Sequence, residues 1–316
     1  MKNYSLKQYQ ENDYLNWNAF IGQAKNATFL FHRDFMEYHK DRFKDFSLMV
    51  YDDQKLVAVL PANRVGDSVY SHQGLTYGGL VYSSKINAEQ LAPIIEGLLS
   101  FLKQKGFLYF YYKPIPSFYT YRGNQEADFF LFKKGAFVLK KEMNLAINLS
   151  LPLKISKSKL KHFRKIEMDD LDLVEEQQLD AFWQLVLEPR LKEKYNAKPV
   201  HTLAEITQLK NRFPDNIKQF SVYHENEIIA GITLFETPTT VKSQYGATTN
   251  RGESLRALDF LFINLIQKYK QEGKLFFDMG IVNEDNESGY HAGLLKQKEE
   301  LGCSVYSQDF YKMNLI

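Results

Sequence analysis

Only one cysteine, Cys303, occurs in 316 residues. A lone thiol can close neither an internal disulfide nor a cysteine-based zinc site. It is read here as a packed, idle thiol, with use as a nucleophile as the alternative. Such sparing use of cysteine suits a reducing compartment. Long apolar runs are missing as well. No stretch approaches the roughly 18 consecutive apolar residues of a membrane span, and the first residues (MKNYSLKQYQENDY) lack the apolar core of a signal peptide. A cytoplasmic protein without membrane insertion is expected. There is no excess of one charge: 40 Lys and Arg stand against 38 Asp and Glu, a formal net charge of +2. Nothing in that balance points to DNA. The motifs G-x-x-x-x-G-K-[ST], G-x-S-x-G and H-E-x-x-H are also absent. No metal site and no permanently bound cofactor are expected.

Aromatic side chains are abundant, with 24 Phe and 20 Tyr in a chain that is 44% hydrophobic. That is enough to build sizeable cores without disulfides. The aromatics are read as core rather than as a base-stacking surface. The length suggests about two domains.

The order of patterns repeats. In the first half, 46–51 (FSLMVY) and 55–61 (KLVAVLP) read as a hairpin, 67–82 as a third extended run broken by glycines, 87–105 as an amphipathic helix ending near Gly106, and 107–112 (FLYFYY) as a buried strand. In the second half, 220–224 and 227–235 form the hairpin and 240–247 the third strand. The helix is 254–271, ending near Gly273, and 274–279 is the strand after it. The offset is 174 at the first strand (220 minus 46) and 167 at the helix stop (273 minus 106), so the spacing drifts by only ~7 residues. A helix is expected before each hairpin, at 31–43 and at 203–213. Thr202 and Glu205 give the second of these the spacing of a capping box. Between the halves, 129–149 reads as two strands and 179–195 as a helix that Pro189 should kink or split. The boundary is placed near residue 150, giving lobes 1–150 and 151–316. In such an order a ligand can sit where the third strand leaves its neighbour, against the start of the following helix.

Three stretches carry a family resemblance: Ser71-His72-Gln73-Gly74-Leu75-Thr76-Tyr77-Gly78-Gly79, Phe277-Asp278-Met279-Gly280 followed by Asn283-Glu284, and Gly293-Leu294-Leu295 with Gln297-Lys298-Glu299-Glu300-Leu301-Gly302. They resemble Fem-type proteins of the acyl-CoA N-acyltransferase (GNAT-like) superfamily, and the resemblance covers roughly residues 20 to 312. It implies an α/β (α+β) fold of two tandem GNAT-like lobes, each a mixed, mostly antiparallel sheet flanked by helices. It also implies N-acyl transfer from acyl-CoA or aminoacyl-tRNA to an amine on a cell-envelope or sugar-type precursor. The partners implied are a small-molecule or nucleotide-linked acceptor and, for one donor, tRNA. The superfamily's pyrophosphate loop, Q/R-x-x-G-x-G/A, is matched here only by Arg251 and Gly252, and Glu253 would repel a phosphate. The alternative is a binding protein that keeps the fold without catalysis. Nothing in the sequence sets the oligomeric state.

Acyl transfer to an amine requires a proton acceptor, a donor or cation for the oxyanion, and alignment of both substrates. Lys298 matches the lysine of the family's C-terminal motif and is the candidate cation; otherwise it is a solvated helix lysine. Asp278, at the end of a buried strand, is the candidate base; otherwise it caps the following turn. Glu284 is the reserve base, and Tyr245 could return a proton to the leaving group or simply pack in the core. His72, Gly74, Tyr77 and Gly78 are candidates for substrate binding in a glycine-rich loop, with a bulge as the alternative. The segment 154–165 (KISKSKLKHFRK) reads as a basic amphipathic helix with Ser158 as a cap. Arg164 stands at the family's arginine position there, where it would cradle phosphates, or the segment is a solvated connector.

Overall fold

The computed structural model describes residues 4–166 and 171–315. The chain divides into two compact units, Met1–Lys141 with Gln308–Ile316, and Glu142–Ser307. The position near 150 thus falls inside the second unit, and the C-terminal residues return to the first. The reason is that the chain changes units within a strand, Phe137–Asn148, rather than in a linker. At the other end, strand Ser304–Asn314 pairs Tyr311 with Tyr112 and Met313 with Phe110.

In the second unit, strands Asp172–Glu176, Ile217–His224, Glu227–Glu236 and Thr240–Thr248 pair antiparallel in that order. The hairpin turn places both Glu225 and Asn226 at positive φ (50° and 66°), the twist that a two-residue connection needs. Strand Phe276–Ile281 then pairs parallel with Thr240–Thr248 and antiparallel with Phe137–Asn148. Helix Ala257–Gln271 covers the sheet with an apolar face that includes Leu261, Leu265 and Ile266. Gly273 ends it at φ +79°, a conformation open to glycine at little cost. Thr202 and Glu205 form the expected capping box on helix Leu203–Arg212. Pro189 has no amide hydrogen to donate. The helix ahead of it widens into a π turn at Trp183–Leu187 before continuing as Glu188–Tyr195.

The first unit holds a sheet of Tyr4–Gln8, Leu48–Asp52, Lys55–Leu60 and Val81–Tyr82. A second ladder links Lys44–Asp45, Asn63–Val65, Ser68–Tyr70 and Tyr109–Tyr112. Helix Ala88–Gln104, capped by Asn87, packs its Leu91, Ile94, Ile95 and Leu98 stripe into the core. The expected helix at 31–43 is only Arg33–Met36 between 3-10 turns, because its apolar residues Phe31, Phe35 and Met36 are buried by tertiary contacts rather than along one helical stripe. The two strands expected over 129–149 are a helix, Glu126–Lys133, and one strand. The expected helix 254–271 breaks at Arg256, whose φ is +54°.

Both units repeat one detail. Ser68, Val69 and Tyr70 pair parallel with Tyr109, Phe110 and Tyr111, and Thr240, Val241 and Lys242 pair parallel with Phe276, Phe277 and Asp278. In each unit the parallel ladder stops there. In the second unit the register with Glu227–Glu236 slips between Thr233 and Leu234, leaving Gln244 as the bulged residue. In the first unit the corresponding place is opened much further. Asn63 pairs with Tyr70, Ala58 with Tyr82, and the loop 71–80 fills the gap. That loop is the glycine-rich segment singled out in the sequence.

Candidate functional site

The second unit concentrates charge where its parallel ladder ends. Asp278 is 1% exposed and faces its register partner Lys242, with Nζ 3.4 Å from Oδ2. Its other oxygen accepts from the Gly280 amide at 2.8 Å. Asp278 therefore caps the turn that follows and also holds a lysine. Gly280, at φ +75°, bends the strand, and a Cβ there would lie 3.5 Å from Lys242 Nζ. Lys298 enters from helix Ala292–Glu300, is 6% exposed, and donates to the Gly280 and Ile281 carbonyls at 3.0 and 2.9 Å. Two of its three hydrogens are so used. Burial, followed by the Lys242 charge, pulls its pKa down to about 8, against the opposing pull of Cys303 and Asp278. The Cys303 thiol is buried, and burial pushes it up to about 12, which favours the protonated thiol. Asn144, paired with Ile281 in the ladder, has a buried carboxamide oxygen without a hydrogen-bond partner. Lys242 and Asn144 escaped the sequence reading. The only signal for Lys242 was a lysine beside Val241 near the start of strand Thr240–Thr248.

The remaining candidates lie elsewhere. Glu284 is in an exposed loop, accepting from the Asn286 side chain at 2.7 Å. The Tyr245 hydroxyl lies 2.5 Å from His201 Nδ1 and takes the His201 amide at 3.3 Å. His201 lines a cavity of about 680 Å³ with Gln184, Glu188, Lys192 and Lys198. Arg251 is spent on Glu225, Glu227 and His224, and Glu253 on Arg190 and Lys194. Gly252 is a packing glycine, since a Cβ would meet the Ile229 carbonyl and the Thr248 hydroxyl at 2.3 Å. The first turn of helix Ala257–Gln271 carries Asp259, which is clamped by Lys159 at 2.6 and 2.7 Å. Helix Lys157–Ile166 begins on Ser156, whose hydroxyl accepts from the Lys159 amide, rather than on Ser158. Arg164 lies exposed on this helix with Lys157, Lys161 and Lys165, while Lys159 is turned inward.

In the first unit, a cavity of about 380 Å³ opens where the parallel ladder ends. Tyr70 and Tyr111 stack at 4.5 Å and 7° on its wall. Lys113 and Lys140 lie 5.0 and 4.4 Å from the Phe310 ring, and no carboxylate lines the space. His72, at φ +65° and 4% exposed, separates this cavity from a second one of about 320 Å³ beside Arg33. A non-glycine residue in that conformation is unusual and costs energy. Burial, with help from His39 and Arg33, holds His72 neutral, its pKa down to about 3. Gly74 and Gly78 serve close packing. A Cβ would meet His39 at 2.2 Å in the first case and the Ser71 carbonyl at 1.6 Å in the second. Tyr77 lines neither of these two cavities. It is 1% exposed and donates to Thr28 at 3.0 Å.

Neither protein-family models nor curated proteins match the sequence. Solved structures do. One titled FemX aligns with TM-score 0.69 at 11% identity, covering 98% of this chain and 97% of that one. The chain has a Fem-like tandem GNAT fold. L-PGS from Bacillus licheniformis aligns at TM-score 0.56 and 16% identity over 81% of this chain and 80% of that chain. A tandem GNAT protein from the clavulanic acid biosynthesis pathway gives 0.53 and 11% over 99% of each. The expected architecture, two lobes of mixed, mostly antiparallel sheet flanked by helices, is the one observed. Among the described residues no group of side chains could hold a metal ion, and no helix is long and apolar enough to cross a membrane.

Proposed function

We propose that this Fem-like protein is an N-acyltransferase that moves an aminoacyl group from aminoacyl-tRNA to an amine on a nucleotide-linked, cell-envelope or sugar-type precursor. The observation that carries this reading is the pair of lysines gathered at the end of the parallel ladder in the second unit, one on Asp278 and one on the Gly280 and Ile281 carbonyls. In the reaction the acceptor nitrogen forms a bond to the ester carbonyl carbon, the C–O bond to the ribose breaks, and the amine proton passes to the leaving oxygen. Lys298, with one hydrogen left to donate, stabilises the oxyanion, and Lys242 adds positive potential. Asp278 fixes Lys242 and the Gly280 turn rather than acting as the base. The donor's phosphates meet Lys157, Lys161, Arg164 and Lys165 on the exposed helix. Acyl-CoA is disfavoured because Arg251 and the start of helix Ala257–Gln271 are already engaged by carboxylates. Taken by itself, the 380 Å³ cavity of the first unit, with its stacked tyrosines and its lysines, suits a ring that bears an anionic group.

The second reading, a binding protein without catalysis, draws on one observation: Asp278 and Tyr245 are both committed to structural partners, and Glu284 lies away in a loop. One experiment separates the two. Purified protein is incubated with labelled aminoacyl-tRNA and amine-bearing nucleotide sugars, and amide product is measured for wild type, Lys298→Ala and Lys242→Ala. Each variant is expected to lose at least about tenfold in turnover. Unchanged turnover in Lys298→Ala removes the catalytic assignment. Binding of the nucleotide sugar without any product favours the binder.

A further inference from the structure

The first unit carries exposed aromatic residues that its core does not use. Helix Glu126–Lys133 buries Ala127 and Leu131 and leaves Phe129 and Phe132, one turn apart, 59% and 65% exposed. The helix ends at Gly135, φ +98°, and the strand that follows keeps Phe137, Val138 and Leu139 exposed. Tyr121 is exposed just ahead of the helix. Isolated apolar residues on a surface need no explanation; several from consecutive elements do.

The surrounding charge says what covers them. Residues 121–141 contain Arg122, Lys133, Lys134, Lys140 and Lys141 against only Glu126 and Asp128, five cations to two acids. Both acids are engaged or partly buried rather than free on the surface. Glu126 is held by Lys25 and Tyr82, and Asp128 is largely buried, its pKa raised to about 7 by burial and by Asp309. Lys134 pairs with exposed Glu96 and Lys141 with the partly buried Asp309, and both lysines are themselves exposed, so these contacts are weak enough to exchange. A protein partner would have to desolvate these lysines, and lysine is depleted from protein interfaces. Anionic headgroups would pair with them while the phenylalanines enter the boundary between headgroups and acyl chains.

We propose that Phe129 and Phe132, on a segment carrying these five cations, dock the first unit on the surface of an anionic lipid bilayer. The protein lies on the membrane and does not span it. Leu139 and Lys140 belong both to this surface and to the wall of the 380 Å³ cavity, so docking would bring the cavity's rim close to the headgroup layer. The inference does not depend on the proposed chemistry.

The test is co-sedimentation of the full chain with phosphatidylcholine vesicles, with and without phosphatidylglycerol, at low and high salt. Binding is expected only to the anionic vesicles, weakened by salt, and reduced about tenfold in Phe129→Ser/Phe132→Ser with unchanged circular dichroism. Equal binding of that variant, or its loss in Arg164→Glu/Lys165→Glu instead, overturns the proposal by moving the contact to the basic helix of the second unit. Absence of binding to anionic vesicles overturns it outright. Sedimentation velocity showing a dimer that the double serine variant abolishes would instead assign the surface to a second copy of the chain.

Discussion

At the scale of the residue, Lys298 is where burial and charge conflict. Its ammonium is out of solvent and close to a second lysine, yet it is held by two main-chain carbonyls. Its pKa of about 8 lies below the ordinary lysine value of 10.5. Between those values the unfolded chain binds more protons than the folded one, so the contribution of this position to stability rises with pH across that window and is least favourable below it. Lys298→Met keeps the apolar stem and removes the proton. Urea unfolding at about pH 7.5 and about pH 9.5 should show the wild type gaining stability relative to this variant at the higher pH. A wild type that falls relative to the variant would contradict the burial of the charged form.

At the scale of the element, the basic helix Lys157–Ile166 is anchored by one inward lysine. Lys159 Nζ contacts both oxygens of Asp259, and Phe163 stacks on Phe260 at 5.8 Å. A buried pair of this kind adds little beyond what apolar residues of similar size would give, but removing one partner strands a charge. Lys159→Met is expected to cost about 3 kcal/mol, and the double change Lys159→Met/Asp259→Leu to recover most of it. A double-mutant cycle by chemical denaturation measures this, and equal losses in the single and double variants would refute it. The same anchoring leaves Arg164 and its exposed neighbours pointing outward, so the double variant should keep the basic outer face of the helix intact.

At the scale of the whole molecule, the first unit is assembled from two distant pieces of chain. Met313 and Leu315 join its core, and Tyr311 to Asn314 pair along Tyr109–Tyr112. Deleting 308–316 should therefore damage the first unit and spare the second. Amide exchange should show lost protection in strand Tyr109–Tyr112 and in helix Ala88–Gln104, with Glu227–Glu236 and Ala257–Gln271 unchanged. Protection lost equally throughout would mean that the two units do not fold as separate bodies. The duplication shows one backbone plan carrying two kinds of chemistry. At the end of the parallel ladder the first unit has stacked tyrosines, and the second has a lysine on an aspartate.

Local structure was legible from the residue order alone. Period-two and helical apolar patterns, the turn at Glu225 and Asn226, the Thr202 cap and the glycine stops at 106 and 273 all depend on neighbours a few residues away, and those elements stand where expected. The echo between the halves was legible for the same reason. The expected helix at 31–43 and the strand pair at 129–149 were not, because Phe31, Phe35 and Leu131 are apolar for the sake of contacts with distant segments. Lys242 faces Asp278 only through strand register across 36 residues, and Lys298 reaches Gly280 from a separate helix. Tertiary structure alone decided those meetings, and with them that Asp278 holds a turn and a lysine, that Tyr77 is core, and that Arg251 is already paired. A side chain's type limits what it can do, but which partners satisfy its hydrogen bonds and charge is settled only when the chain has closed on itself.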